Sequence, residues 1–157
     1  AGGDAAEVDR VRPLMADIAG QFTLMGPSGA GLTAKMINQL IVGCTHAVMA
    51  EAAVLAEVAG IDAARIPDCL AGGYADNSML QKLYPRIIAR DFAPHGYARQ
   101  PLKDLEMLNE FAGGLKARLP MSGPALTLYR MLIHLGHSKL DTAAIFKLYE
   151  QTANVTI

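Results

Sequence analysis

The chain has 157 residues, of which 52% are hydrophobic, 18% charged and 6% aromatic, with a formal net charge of −1. That length suits one ordinary domain with a sizeable core. The hydrophobicity excludes a disordered chain, and the near-neutral charge excludes a basic nucleic-acid footprint. No apolar run is read as reaching the roughly 18 residues of a membrane helix. Residues 1–12 hold Asp4, Glu7 and Asp9 and lack the apolar core of a signal peptide. Cys44 and Cys69 sit in apolar stretches and read as free, buried thiols, which fits a cytoplasmic setting.

Asp4 has Glu7 three residues on, the spacing of a capping box. Val8, Val11, Met15 and Ile18 then mark one helical face, which Gly20 closes. Residues 21–25 alternate in part between two glycines and are predicted as a strand. Ser28-Gly29-Ala30-Gly31 is a loop. From 32 to 59 there is no proline and a single glycine, Gly43. This stretch is apolar almost all round, so it is predicted as a buried helix spanning roughly 45 Å. Asp62 caps a helix over 63–71, which Gly72-Gly73 breaks. Asn77 or Ser78 caps a shorter helix through Tyr84, and 85–96 reads as loop. Further helices are predicted over 102–115 and from the Pro120–Pro124 region to Leu135. Asp141 caps a last one over 142–149, and 152–157 reads as a tail.

The most informative stretch is Met25-Gly-Pro-Ser-Gly-Ala-Gly-Leu-Thr-Ala-Lys35. As a Walker A loop it fails, because Leu32 stands where the phosphate-binding lysine belongs. Gly29-x-Gly31-x-x-Ala34 has the form of a dinucleotide fingerprint, with Glu51 about 20 residues on. A second strand should then end near that acid, and instead the helical pattern continues through 51–59. A third reading rests on Lys35, Asn38 and Gln39, which share a helix face at i, i+3 and i+4. One cation and two amides together suit acid–base work and carboxylate or hydroxyl recognition. The plainer alternative is a lysine reaching solvent and two amides bonded to backbone.

Gly29-x-Gly31-x3-Lys35-x2-Asn38 resembles the signature that opens the C-terminal domain of the β-hydroxyacid dehydrogenase (3-hydroxyisobutyrate dehydrogenase-like) family. The likeness continues in order through Glu51-Ala-x2-Leu55-Ala, Gly73-x4-Ser78, Asp91-Phe92-x-Pro94, Lys103-Asp104-Leu105, Leu119-Pro120 and Asp141. The resemblance implies an all-α domain built around one long central helix, preceded by a short helix–strand remnant of a Rossmann domain. Residues 1–25 would be the tail of that nucleotide-binding domain, and 26–157 the helical substrate-binding and dimerisation domain. The implied activity is hydride transfer between a small 3-hydroxy acid and NAD or NADP, the cofactor being held mainly by a domain that precedes this one. Lys35 matches the family's catalytic acid–base lysine. Asn38 and Gln39 match its substrate-binding amides, where the family often has Asn-Asn. Lys103 matches the lysine near the nicotinamide.

The isolated chain is therefore expected to be inactive, and the native protein to be a homodimer or larger homo-oligomer without nucleic-acid or membrane partners. A non-catalytic helical interaction module is the alternative; it has no need of Lys35, Asn38, Gln39 and Lys103 together. His134 and His137, at i, i+3, lack the further ligands of a metal site. His46 reads as a satisfied core histidine, and His95 stays unassigned. Lys82, Arg86 and Arg90 read with Tyr84 as a mild basic patch, and Glu106 and Glu110 as a solvated face.

Overall fold

The computed structural model describes residues 1–150. The tail expected at 152–157 lies outside the described residues. The chain divides into two compact units, Ala1–Gln39 and from Leu40 onward.

In the first unit, α1 covers Ala5–Ala16. The Asp4 carboxylate accepts the Ala6 and Glu7 N–H groups, satisfying two of the donors a helix start leaves open. Of its expected apolar face only Val8 is buried; Met15 is half-buried, and Val11 and Ile18 are exposed. The strand expected over 21–25 is absent from the described residues, and this is a correction. What replaces it is a short backbone pairing. The Ala1 amino group donates to the Thr23 carbonyl (2.7 Å), Met25 N–H to the Ala1 carbonyl (2.9 Å) and Gly3 N–H to the Gly26 carbonyl (2.9 Å). Three bonds are too few to build a ladder. Gly2 must stay small, because a Cβ there would stand 2.7 Å from the Pro27 carbonyl oxygen. Gly29, at φ +93°, makes the turn into the next helix.

That helix, α2, runs over Ala30–Val58 and is the long central element expected. Its burial is not as expected. Ala47, Met49, Ala50, Ala53 and Ala56 are buried, but Ile41, Val48 and Leu55 are exposed. An 18-residue window within it has mean hydropathy 1.5, so by length and composition it could cross a membrane, contrary to the expectation above. Its packing in the second unit is that of a core helix. Gly43 lies against Leu105, and His46 meets Tyr129.

The rest of the second unit packs against one side of the 40–58 part of α2. Asp62 accepts the Ala64 N–H and starts a 3-10 turn, Ala63–Arg65, which leads into α3 (Ile66–Leu70). Asn77 caps α4 (Ser78–Lys82). Where a loop was predicted, α5 (Tyr84–Ile88) forms instead; Pro85 stands in its first turn, where a missing N–H costs nothing. Then come α6 (Arg99–Gly114) and α7 (Ser122–His134). The last element, Thr142–Leu148, is a 3-10 helix rather than the α-helix expected, capped as expected by Asp141. Helix α6 packs on α7, and α7 on the final 3-10 helix. Leu105, Tyr129, Leu132, Ile145 and Phe146 form the centre of this core. Each such aliphatic side chain contributes about 1.5–3 kcal/mol by leaving water. Cys44 is partly buried but Cys69 is exposed, which corrects the reading of two buried thiols.

Candidate functional site

The first unit carries Lys35, Asn38 and Gln39 on the opening turns of α2. Met36 is buried and fixes the rotation of these turns. Lys35 and Asn38 are then exposed, and Gln39 is half-buried. The Asn38 Nδ2 donates to Gln39 Oε1 at 3.0 Å, so the two amides stand side by side. The helix that carries Lys35 was expected to be buried, and at this position it is not. Lys35 is exposed, so its ammonium keeps contact with water, where a charge costs least. One cation and a paired amide on one open face form a ready donor set for a carboxylate or an alcohol oxygen.

Lys103 lies in the second unit, on α6. Ala98 precedes this helix and offers no side-chain cap. Instead Gln100 Oε1 accepts the Tyr97 N–H (3.0 Å), while the Gln100 N–H donates to the Tyr97 carbonyl (2.9 Å). Pro101 and Leu105 point into the core, which turns Lys103 to the exposed side. An exposed ammonium fits the phosphates and carboxamide of a dinucleotide as a point charge.

The second unit also holds a buried polar system that sequence reasoning missed. Asp141 was expected as a helix cap and as the late aspartate of the family likeness, with no partner beyond its own helix. Its side chain is 2% exposed and pairs with Arg86 Nη1 at 3.0 Å. The same carboxylate accepts the N–H groups of His95 (2.7 Å), Gly96 (3.2 Å) and Ala143 (3.0 Å). Burial pushes this carboxyl up, but the three N–H groups and the guanidinium outweigh it and hold the group below its ordinary value. Arg86 also bonds Asp91 and the Ala93 carbonyl, and Arg90 pairs with Glu57. With Tyr84 fully buried, the basic patch expected around Lys82, Arg86 and Arg90 does not exist. Glu106 and Glu110 are exposed, the solvated face expected, and Glu106 pairs there with the exposed Arg130 at 3.2 Å.

His46 is the satisfied core histidine expected. It is 6% exposed, with Nδ1 at 2.5 Å from the Tyr129 hydroxyl. Burial lowers its value to about 4 and the Asp141 charge opposes this in part, so the ring is neutral at pH 7. The Tyr129 hydroxyl, also wholly buried, is held above its ordinary range. Nothing in the sequence pairs positions 46 and 129; each looked like an ordinary helix residue. No cluster of three metal-ligating side chains occurs among the described residues.

The family of NAD-binding domains of NADP-dependent 3-hydroxyisobutyrate dehydrogenase matches residues 29–149. The chain is 34% identical to the 2-hydroxy-3-oxopropionate reductase of Escherichia coli K12 over 153 residues, which is 98% of this chain and 52% of that protein. The solved 3-hydroxyisobutyrate dehydrogenase of Salmonella typhimurium superposes with a TM-score of 0.86 at 28% identity, over 94% of this chain and 52% of that one. The 3-hydroxyisobutyrate dehydrogenase of Mycobacterium tuberculosis, solved with L-serine, gives 0.85 at 26% identity over 95% and 53%. The chain thus spans about half the length of the proteins it matches.

Proposed function

Because this chain belongs to the family of NAD-binding domains of 3-hydroxyisobutyrate dehydrogenases, we propose that it is the helical substrate-binding and subunit-contact domain of an oxidoreductase acting on a small 3-hydroxy acid. The observation that carries this reading is the open face of α2, where Lys35 stands with the Asn38–Gln39 amide pair.

When bound, the nicotinamide ring supplies the hydride acceptor, or the donor in reverse. The residues of this chain handle the rest. Asn38 and Gln39 donate to the substrate's carboxylate and orient its hydroxyl. Lys35, in its neutral form, takes the hydroxyl proton at Nζ as the carbon–hydrogen bond breaks. In the reverse direction its ammonium polarises the carbonyl and returns the proton. Lys103 adds positive charge at the nicotinamide end.

Residues 1–25 are, on this reading, the tail of an N-terminal nucleotide-binding domain, and 26–157 the helical domain. The exposed Leu14, Ile18 and Met25 support this, being apolar surface that a further domain would cover. So does the length of the relatives, about twice that of this chain. The dinucleotide is held mainly by that further domain, so the isolated chain is inactive. Ile41, Val48 and Leu55, at heptad spacing on the exposed side of α2, form the contact between subunits. The free thiols of Cys44 and Cys69 support a cytoplasmic setting for the protein.

The test is Lys35→Ala in the native-length gene product. The substitution lowers kcat by several orders of magnitude and leaves the thermal midpoint unchanged. Retention of more than about a tenth of kcat, a barrier change under about 1.4 kcal/mol, removes Lys35 from the chemistry. A native-length protein with no dehydrogenase activity on any small hydroxy acid favours the non-catalytic interaction module.

A further inference from the structure

We propose that Asp141 and Arg86 are positioning residues: together they set the start of α6, and through it the placing of Lys103 against a nicotinamide dinucleotide. This rests on the reading of Lys103 given above. A helix cap needs one or two bonds to open backbone N–H groups, and the Ala143 N–H already supplies one. The remaining acceptor capacity of Asp141 reaches back some 45 residues in sequence, to the His95 and Gly96 N–H groups. Its neighbours reinforce the same join. The Asp141 N–H donates to the Phe92 carbonyl (3.0 Å), the Ala98 N–H donates to the Leu140 carbonyl (2.9 Å), and Tyr97 pairs antiparallel with Asp141.

Arg86 holds the same segment from its other end. Its Nε donates to Asp91 Oδ2 (2.9 Å), and its Nη2 to the carbonyls of Asp91 (3.3 Å) and Ala93 (2.5 Å). The 91–98 segment therefore hangs between one buried carboxylate and one guanidinium. Helix α6 begins directly after it with no side-chain cap at Ala98, so the segment and Gln100 set where the helix starts, while the buried Pro101 and Leu105 set its rotation. Lys103 follows roughly 7 Å along the axis, too close to Ala98 for the helix to bend the error away.

Asp141→Asn keeps the shape but turns one acceptor into a donor. The new NH₂ must face either the His95 and Gly96 N–H groups or the Arg86 and Ala143 donors. The test is a double-mutant cycle with Lys103→Met in the native-length protein, reading the dissociation constants of NADH and NADPH by calorimetry and the amide exchange of His95, Gly96 and Ala98. Asp141→Asn speeds exchange at those three amides and weakens dinucleotide binding by about tenfold, Lys103→Met weakens it too, and the double variant binds no more weakly than Lys103→Met alone. Two independent losses that multiply in the double variant overturn the positioning role while leaving Lys103 intact as a cofactor contact. Unchanged binding in Lys103→Met overturns the reading of Lys103 itself. If Asp141→Asn does not fold, Arg86→Lys runs the same cycle, keeping the charge and losing the planar fork.

Discussion

The buried His46–Tyr129 pair makes stability depend on pH in a calculable way. The unfolded imidazole titrates near 6.5, whereas in the fold burial lowers it to about 4. Below pH 6.5 the unfolded chain takes up a proton that the folded chain refuses, so stability falls as the pH drops from 6.5 toward 4 and levels off below that. The full gap corresponds to about 3 kcal/mol, and by pH 5 about 2 kcal/mol of it has been lost. Asp141 does not blur this window. Its folded value is depressed, so its contribution is complete above the unfolded value of 3.8 and is lost only as the pH falls through the lower folded value. The assay is urea unfolding at pH 7.5 and pH 5.0 of the parent and His46→Gln, whose amide does not titrate. The parent loses about 2 kcal/mol more than the variant between the two pH values. Equal losses in both proteins, or an NMR titration of the folded His46 ring near 6.5, refute the reasoning.

Two further substitutions test the packing and the assembly. Gly43→Ala places a Cβ 3.1 Å from both terminal carbons of Leu105, itself fully buried. The overpacking costs roughly 1–3 kcal/mol against about 1 kcal/mol gained in helix propensity, so the net change is a loss of about 1 kcal/mol in chemical denaturation. A more stable variant shows that Leu105 has room to move. Val48→Glu puts a charge at the middle of the exposed stripe of α2. It lowers the mass measured by light scattering from that of an oligomer to that of a single subunit and leaves the helical circular dichroism unchanged; the same mass in both proteins excludes this face from the contact.

The amino-acid sequence by itself determined the helical architecture, because its signals are local. Asp4, Asp62, Asn77 and Asp141 each cap the element they precede, since a short carboxylate or amide reaches the open N–H groups of the first turn wherever the chain leads next. The unbroken stretch before Gly60 emerges as a 29-residue helix, and i, i+3, i+4 spacing alone puts Lys35, Asn38 and Gln39 on one face. Pattern could not say which apolar side of that helix faces its neighbours, since Ile41, Val48 and Leu55 are as hydrophobic as the residues that are buried. Nor did alternation over 21–25 suffice for a strand, because a strand exists only with a partner to pair with. Tertiary structure alone decided the two buried polar joins. His46 meets Tyr129 across 83 residues, and Asp141 meets Arg86 and the 91–98 segment. Composition places no constraint on such distant pairs. Only packing excludes water from them, and only then must each buried polar group find its partner within the chain.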